Sequence, residues 1–150
     1  MVGVSLYFSH TIRGKDGDAC TYEKKWDNIS RAIDAASHLT QLLNVCLCQD
    51  QIEVRLYVPG EHELLFEKLY NAKVVTVAQV LQADTEIMLE CDGVVLWPIE
   101  GTIEESAGMS YEKATAIEHG LPVIEPQITK VQDLCDMIRN IAKSKTSVKE

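Results

Sequence analysis

Apolar and polar residues alternate over residues 2–9 and again over 52–58, where the second run stops at Pro59 and Gly60. This period of two predicts two β-strands. Residues 93–97 form a short continuous apolar run, which is typical of a strand buried on both faces of a parallel sheet. We predict the next strand over 121–124, so the chain carries at least four.

Five other segments predict helices, over 26–43, 61–70, 76–90, 106–119 and from 131 to about 142. In the third of these the apolar residues are expected on one face; they are Val77, Val80, Leu81, Ile87, Met88 and Cys91. Gly120 is expected to cap the end of the fourth helix. The residues from 144 to 150 are rich in Lys, Ser and Thr and are predicted to be a flexible tail.

The order of strands and helices predicts one α/β domain over 1–143, with helices on both faces of a mostly parallel sheet of four or five strands. Such sheets bind ligands beyond the carboxyl ends of two neighbouring strands whose connections leave on opposite faces. If the first and third strands are neighbours, loops 9–18 and 98–108 line that crevice. Both loops are polar and contain glycine.

The 150 residues carry a net charge of −9, with a pI near 4.9. This charge argues against a nucleic acid polymer or an anionic membrane as the partner, because both require a clustered positive surface. A small anionic ligand needs only one or two local cations and some backbone N–H groups, so it is not excluded. No apolar stretch approaches a membrane span, and the apolar start is interpreted as a strand rather than a signal peptide.

The five cysteines have irregular spacing and do not resemble a disulfide framework, so we expect reduced thiols in the cytoplasm. Cys46 and Cys48 lack a second pair of ligands at zinc-site spacing, and no structural metal is expected.

Arg13 precedes Gly14 at the predicted crevice, where it would hold a phosphate or be an ordinary exposed arginine. Ser106 opens the fourth helix, either as a simple N-cap or at an anion-binding helix start. Gly108 in the first turn weakens the helix and indicates a close approach. Glu112 lies further along this helix, where a carboxylate is ordinarily solvated.

Asp84 falls on the apolar stripe of the third helix, and a carboxylate facing a core requires a partner or a function. Two explanations are equally weighted. Either the helix breaks at Ala83 and Asp84 caps the next segment, or Asp84 is a functional acid. The acidic runs 61–63 and 104–105 are interpreted as solvated faces, with His62 an improbable metal ligand.

Three motifs together resemble the nucleoside 2-deoxyribosyltransferase-like superfamily, and most of all its 2'-deoxynucleoside 5'-monophosphate N-hydrolases. Residues 6–14, Leu-Tyr-Phe-Ser-His-Thr-Ile-Arg-Gly, are similar to the family motif Y-F-x-G-S-I-R-G. Asp84 precedes by eight residues the Asp92 that opens a D-x-V-V pattern. Ser106-x-Gly108-x-x-x-Glu112 is similar to the family's S-x-G-x-x-x-E. The resemblance covers 5–17 and 80–124, and extends to 18–79 only in element order.

The resemblance implies a flavodoxin-like (Rossmann-like) fold, a homodimer or higher homo-oligomer in the cytoplasm, no cofactor, and cleavage of an N-glycosidic bond. It implies that Glu112 is the nucleophile, that Tyr7 holds it and that Asp84 protonates the leaving base. The implied phosphate pocket consists of Thr11, Ile12, Arg13, Gly14, Ser106 and Gly108. Ser9 and His10 are implied as further substrate-binding residues.

His10 stands where the family motif has glycine, which would narrow the approach to the phosphate or add a cation there. In relatives a residue of a neighbouring subunit also binds the phosphate. Its counterpart is not identified within 125–137, where Thr129 is the one residue with a hydroxyl side chain. The resulting hypothesis is hydrolysis of a (deoxy)nucleoside 5'-monophosphate to free base and sugar phosphate. Deoxyribosyl transfer between bases and non-catalytic nucleotide binding are the alternatives.

Overall fold

The computed structural model describes residues 1–126 and 131–148. Four parallel strands form its sheet in the order β2-β1-β3-β4; they are β1 (Val2–His10), β2 (Ile52–Tyr57), β3 (Gly93–Trp97) and β4 (Val123–Ile124). The helices are α1 (Tyr22–Cys46), α2 (Glu63–Asn71), α3 (Val77–Glu90), α4 (Ala107–Glu118) and α5 (Val131–Ser147). The predicted α/β flavodoxin-like fold is confirmed.

Local capping explains where two of these helices begin. Thr21 accepts a hydrogen bond from the Lys24 amide at 3.2 Å, so α1 starts four residues before the apolar pattern does. Thr76 and Gln79 form a reciprocal capping box at the start of α3. At the other end of α4, Gly120 has φ +72 and allows the chain to leave the helix.

The two faces of the sheet carry separate cores, and the alternation along β1 decides which residues enter each one. Val4, Leu6 and Phe8 pack with α1 and α5, whereas Tyr7 packs with α3 and α4. Ser9 shares the parity of Tyr7 and therefore lies on the same face. Polar residues at odd positions of β1 are thus directed towards α3 and α4.

Helix α3 decides between the two explanations of Asp84 and is buried over only part of its length. It is continuous from Val77 to Glu90, so the break expected at Ala83 and Asp84 is wrong. The predicted apolar face is buried along only part of its length, because Val77 and Leu81 are each 56% exposed while Met88 is fully buried. Only the carboxyl-terminal part of α3 packs into the core.

Helix α5 continues four residues into the predicted tail and ends at Ser147. Lys145 explains the extension, because its Nζ donates to the Gly3 carbonyl at 2.8 Å and pairs with Asp92 at 2.9 Å. Of the helices within the described residues, none has the length and apolar character to cross a bilayer. All five cysteines are free thiols.

Candidate active site

The first and third strands are neighbours, as the predicted crevice requires. β1 pairs directly with β3, and the helices that follow them, α1 and α4, belong to opposite faces of the sheet. Thr11 joins the surrounding segments: its Oγ1 accepts from the Ile99 amide at 3.0 Å and donates to the Met109 sulfur at 3.7 Å. The end of β1, the loop after β3 and the first turn of α4 therefore meet at one place.

Glu112 reaches this crevice because of the way α4 begins. Ser106 caps the helix by accepting from the Met109 amide at 3.3 Å, and Met109 and Ala116 are buried on its inner face. Glu112 lies between those two residues, so its side chain is directed at the sheet. Its Oε1 accepts a hydrogen bond from Ser9 Oγ at 2.9 Å, and the Tyr7 hydroxyl also hydrogen-bonds its carboxylate.

Burial dominates the electrostatics of Glu112 and raises its pKa from an ordinary 4.5 to about 7. The hydrogen bonds from Tyr7 and Ser9 act against this rise, and the charge of Asp84 adds to it. Burial and the neighbouring Glu112 carboxylate raise the pKa of Tyr7 far above its usual range. The Tyr7 phenol consequently remains a neutral donor, and Glu112 titrates near neutral pH.

Asp84 extends from α3 towards the same two groups, since its charge acts on both Tyr7 and Glu112. Its Oδ1 is buried and has no hydrogen-bond partner among the described residues. Burial, reinforced by the Glu63 carboxylate, raises the pKa of Asp84 to about 6, and His62 opposes the rise. With the helix intact around it, Asp84 is not a cap, and the functional explanation remains.

A row of stacked rings borders these carboxylates. The strand register pairs Tyr7 with Tyr57, and their ring centroids lie 5.7 Å apart. His62 stacks on Tyr57 at 5.2 Å with an interplanar angle of 17°. Burial and the charge of Asp84 raise the pKa of Tyr57 to about 12, so this phenol is also a neutral group in the site.

Sequence reasoning did not single out Tyr57 or His62 as site residues. For Tyr57 a signal was present, because the alternation of side chains along β2 indicates which face of the sheet it occupies. In the run 61–63, Glu61 is exposed as expected. The two residues after it depart from the expectation, because His62 is stacked and Glu63 pairs with Lys25 at 2.8 Å.

The residues assigned to phosphate binding surround the loop after β1. Arg13 is exposed and pairs with Asp18 at 3.0 Å, and the Ile12 carbonyl accepts from Asn28 at 3.0 Å. Gly14 has φ +64, and a Cβ there would collide with the Glu100 carboxylate. A side chain at Gly108 would meet no atom within 4 Å, so the start of α4 is open.

Lys24 was not singled out from the sequence, yet it holds this loop in place. Its Nζ lies 2.6 Å from Asp16 and 3.4 Å from Glu100. It therefore offsets the negative charge of both carboxylates beside the loop.

His10 does not add a cation to the site, so that expectation is wrong. The Gly60 amide donates to His10 Nε2 at 3.1 Å, which places the ring proton on Nδ1, where it is shared with the Thr11 carbonyl at 3.1 Å. Burial lowers the pKa of His10 and keeps the ring neutral. The ring joins the end of β1 to the turn after β2, against a Gly60 that has no room for a side chain.

Within residues 1–126 and 131–148, no group of three His, Cys, Asp or Glu side chains could hold a metal ion. Thr129 lies outside the described residues. No protein-family model, curated protein or solved structure matches the chain.

The geometry thus provides one carboxyl group oriented by two hydroxyl groups and a second, enclosed carboxyl, and the raised pKa values of about 7 and about 6 leave each of them protonated in part near neutral pH. Such a pair can stabilise a developing positive charge and also deliver a proton.

Proposed function

We propose that this protein hydrolyses the N-glycosidic bond of a (deoxy)nucleoside 5'-monophosphate, giving free base and sugar phosphate. The observation that carries the proposal is Glu112, which is held by Ser9 and Tyr7 beside Asp84 at the crevice between β1 and β3. The motif resemblance supports the same chemistry. Two carboxyl groups with distinct surroundings are what glycosidic cleavage requires.

In the proposed reaction the C1'–N bond breaks and its electron pair leaves with the base. Glu112 stabilises the oxocarbenium-like transition state and forms the bond to C1', and Asp84 gives its proton to the departing nitrogen. Water then attacks C1': its hydroxyl stays on the sugar, the Glu112 carboxylate is released, and the remaining proton returns to Asp84. Tyr7 stays neutral throughout because its pKa is raised.

A phosphate would occupy the space between Arg13 and the open start of α4. The Arg13–Asp18 pair is exposed, with the aspartate side chain fully accessible, so exchanging it for a phosphate costs little. The Ser106 amide donates to the Ile103 carbonyl at 3.1 Å, so the helix start would offer the phosphate the N–H groups of Ala107 and Gly108 together with a favourable dipole. A net charge of −9 is compatible with this ligand and disfavours a polymer.

We also propose a homodimer or a higher homo-oligomer in the cytoplasm, with no cofactor. Self-association is supported by the stretch from 64 to 81, where six large apolar side chains are more than half exposed; they are Leu64, Leu65, Tyr70, Val74, Val77 and Leu81. Sedimentation equilibrium would give the number of copies.

The test is a screen of ribo- and deoxyribonucleoside 5'-monophosphates for free base, using the full chain. Base and sugar phosphate should appear with water as the only acceptor, whereas release that depends on an added second base would indicate a transferase. Glu112→Ala should abolish turnover, and Glu118→Ala, an exposed position on the same helix, should not. Undiminished turnover in Glu112→Ala would remove the mechanism; tight nucleotide binding without turnover in the wild type would indicate a binding module.

A further inference from the structure

We propose that Ser9 is a positioning residue that orients Glu112 and favours its carboxylate form, and that it does not contact the substrate. The inference deepens the proposed function and rests on it for its catalytic meaning. Ser9 is 0% exposed, so a ligand in the crevice has no access to its side chain. Its hydroxyl instead donates to Glu112 Oε1 at 2.9 Å.

The position of Ser9 explains why it can orient the carboxylate. It lies on β1, which has a neighbouring strand on each side, and its register partner on β3 is Leu96. Tyr7, two residues earlier on the same face, provides the second hydroxyl. Both groups that hold the carboxylate therefore project from one strand within the sheet, and the ring of Tyr7 is itself stacked on Tyr57.

The charges around Glu112 make its ionisation sensitive to the hydrogen bond from Ser9. From α3, Asp84 disfavours a second negative charge, and burial acts in the same direction. Along α4, the neighbouring Lys113 is engaged by Glu125 at 3.0 Å. From β1, Ser9 and Tyr7 are the groups that favour the ionised form. Because a hydrogen bond to a charged group is stronger than one to a neutral group, loss of Ser9 selectively weakens the carboxylate form.

The experiment compares Ser9→Ala with Ser5→Ala, the same change at an exposed serine of the same strand. The side-chain carboxyl of Glu112 is labelled with carbon-13 and titrated by NMR in the full-length protein, without substrate. We expect Ser9→Ala to raise the pKa of Glu112 by about one, in line with a charge-assisted hydrogen bond, and Ser5→Ala to leave it unchanged. Unchanged titration in Ser9→Ala would overturn the proposal.

The kinetic arm uses the nucleotide that the screen identifies. At pH 6, kcat of Ser9→Ala should fall about tenfold, which follows from a pKa of Glu112 higher by about one. KM should change less than twofold, and raising the pH should restore part of the rate. A tenfold rise in KM with kcat unchanged would instead make Ser9 a substrate contact.

Two features keep this test decisive. Should Ser9→Ala fail to fold, Ser9→Cys takes its place, since cysteine has a similar volume and a much weaker hydrogen-bond donor. The pKa of Glu112 in Ser9→Cys should also rise. Should the wild type release no base from any monophosphate, the proposed function fails while the NMR titration still decides whether Ser9 controls the ionisation of Glu112.

Discussion

Replacing Glu112 by Gln should stabilise the fold at alkaline pH even though it removes the proposed nucleophile. The folded protein raises the pKa of Glu112 from 4.5 to about 7, so it holds this proton more tightly than the unfolded chain does. The contribution of Glu112 to stability is therefore fully present below pH 4.5 and is lost as the pH rises towards 7. At roughly 1.4 kcal/mol for each pKa unit, the loss approaches about 3 kcal/mol at pH 8.

The glutamine keeps an oxygen that accepts from Ser9 and carries no charge to bury, so most of this difference should appear as a gain. Urea unfolding followed by circular dichroism measures it. We expect the free energy of unfolding of Glu112→Gln to exceed that of the wild type by about 2–3 kcal/mol at pH 8 and by less than about 1 kcal/mol at pH 5. The control, Glu118→Gln, changes an exposed glutamate on the same helix and should show no such pH dependence. Equal or lower stability of Glu112→Gln at pH 8 would refute the argument from burial.

Four further predictions follow from the same site. The proposed reaction needs Asp84 protonated and Glu112 ionised, which is the minor singly protonated form because the pKa of Glu112, about 7, lies above that of Asp84, about 6. The pH profile of kcat/KM should therefore be bell-shaped with apparent pKa values of about 6 and about 7, and a flat profile from pH 5 to 8 would contradict these roles. Asp84→Asn should slow release of poor leaving bases by about 100-fold or more and spare an activated leaving group, as judged from a series of substrates; equal slowing of all would exclude an acid role. Arg13→Gln should raise KM for the monophosphate at least tenfold and leave that for the free nucleoside unchanged; an equal rise for both would exclude a phosphate contact. His10→Ala should cost about 2 kcal/mol in urea unfolding by stranding the Gly60 amide, without weakening phosphate binding; weakened binding would restore a role in the pocket.

The stability prediction also explains why these carboxyl groups are unusual within so acidic a chain. Most of its carboxylates are exposed or paired with a lysine or arginine, as Glu63 is with Lys25. Asp84 and Glu112 have raised pKa values mainly because they are buried. A folded chain that keeps two such groups sacrifices stability at neutral pH, which favours a functional explanation for them.

The sequence by itself determined the elements and the fold class. Alternation along 2–9 and 52–58 and the helical spacing of 26–43 report burial of one face, which is a local property of each segment. The order of elements then limits the sheet to parallel topologies with the ligand crevice at the strand ends. The same alternation placed Tyr7 and Ser9 on one face of β1.

Only the tertiary structure decided what those side chains meet. The partners of Glu112 are about one hundred residues away along the chain, and the stacking of Tyr57 with His62 depends on the register of β1 against β2. The neutral state of His10 follows from burial against Gly60, which lies 50 residues further on. Periodicity reports which face of a segment is buried, whereas hydrogen bonds and ionisation depend on neighbours that only folding brings into contact.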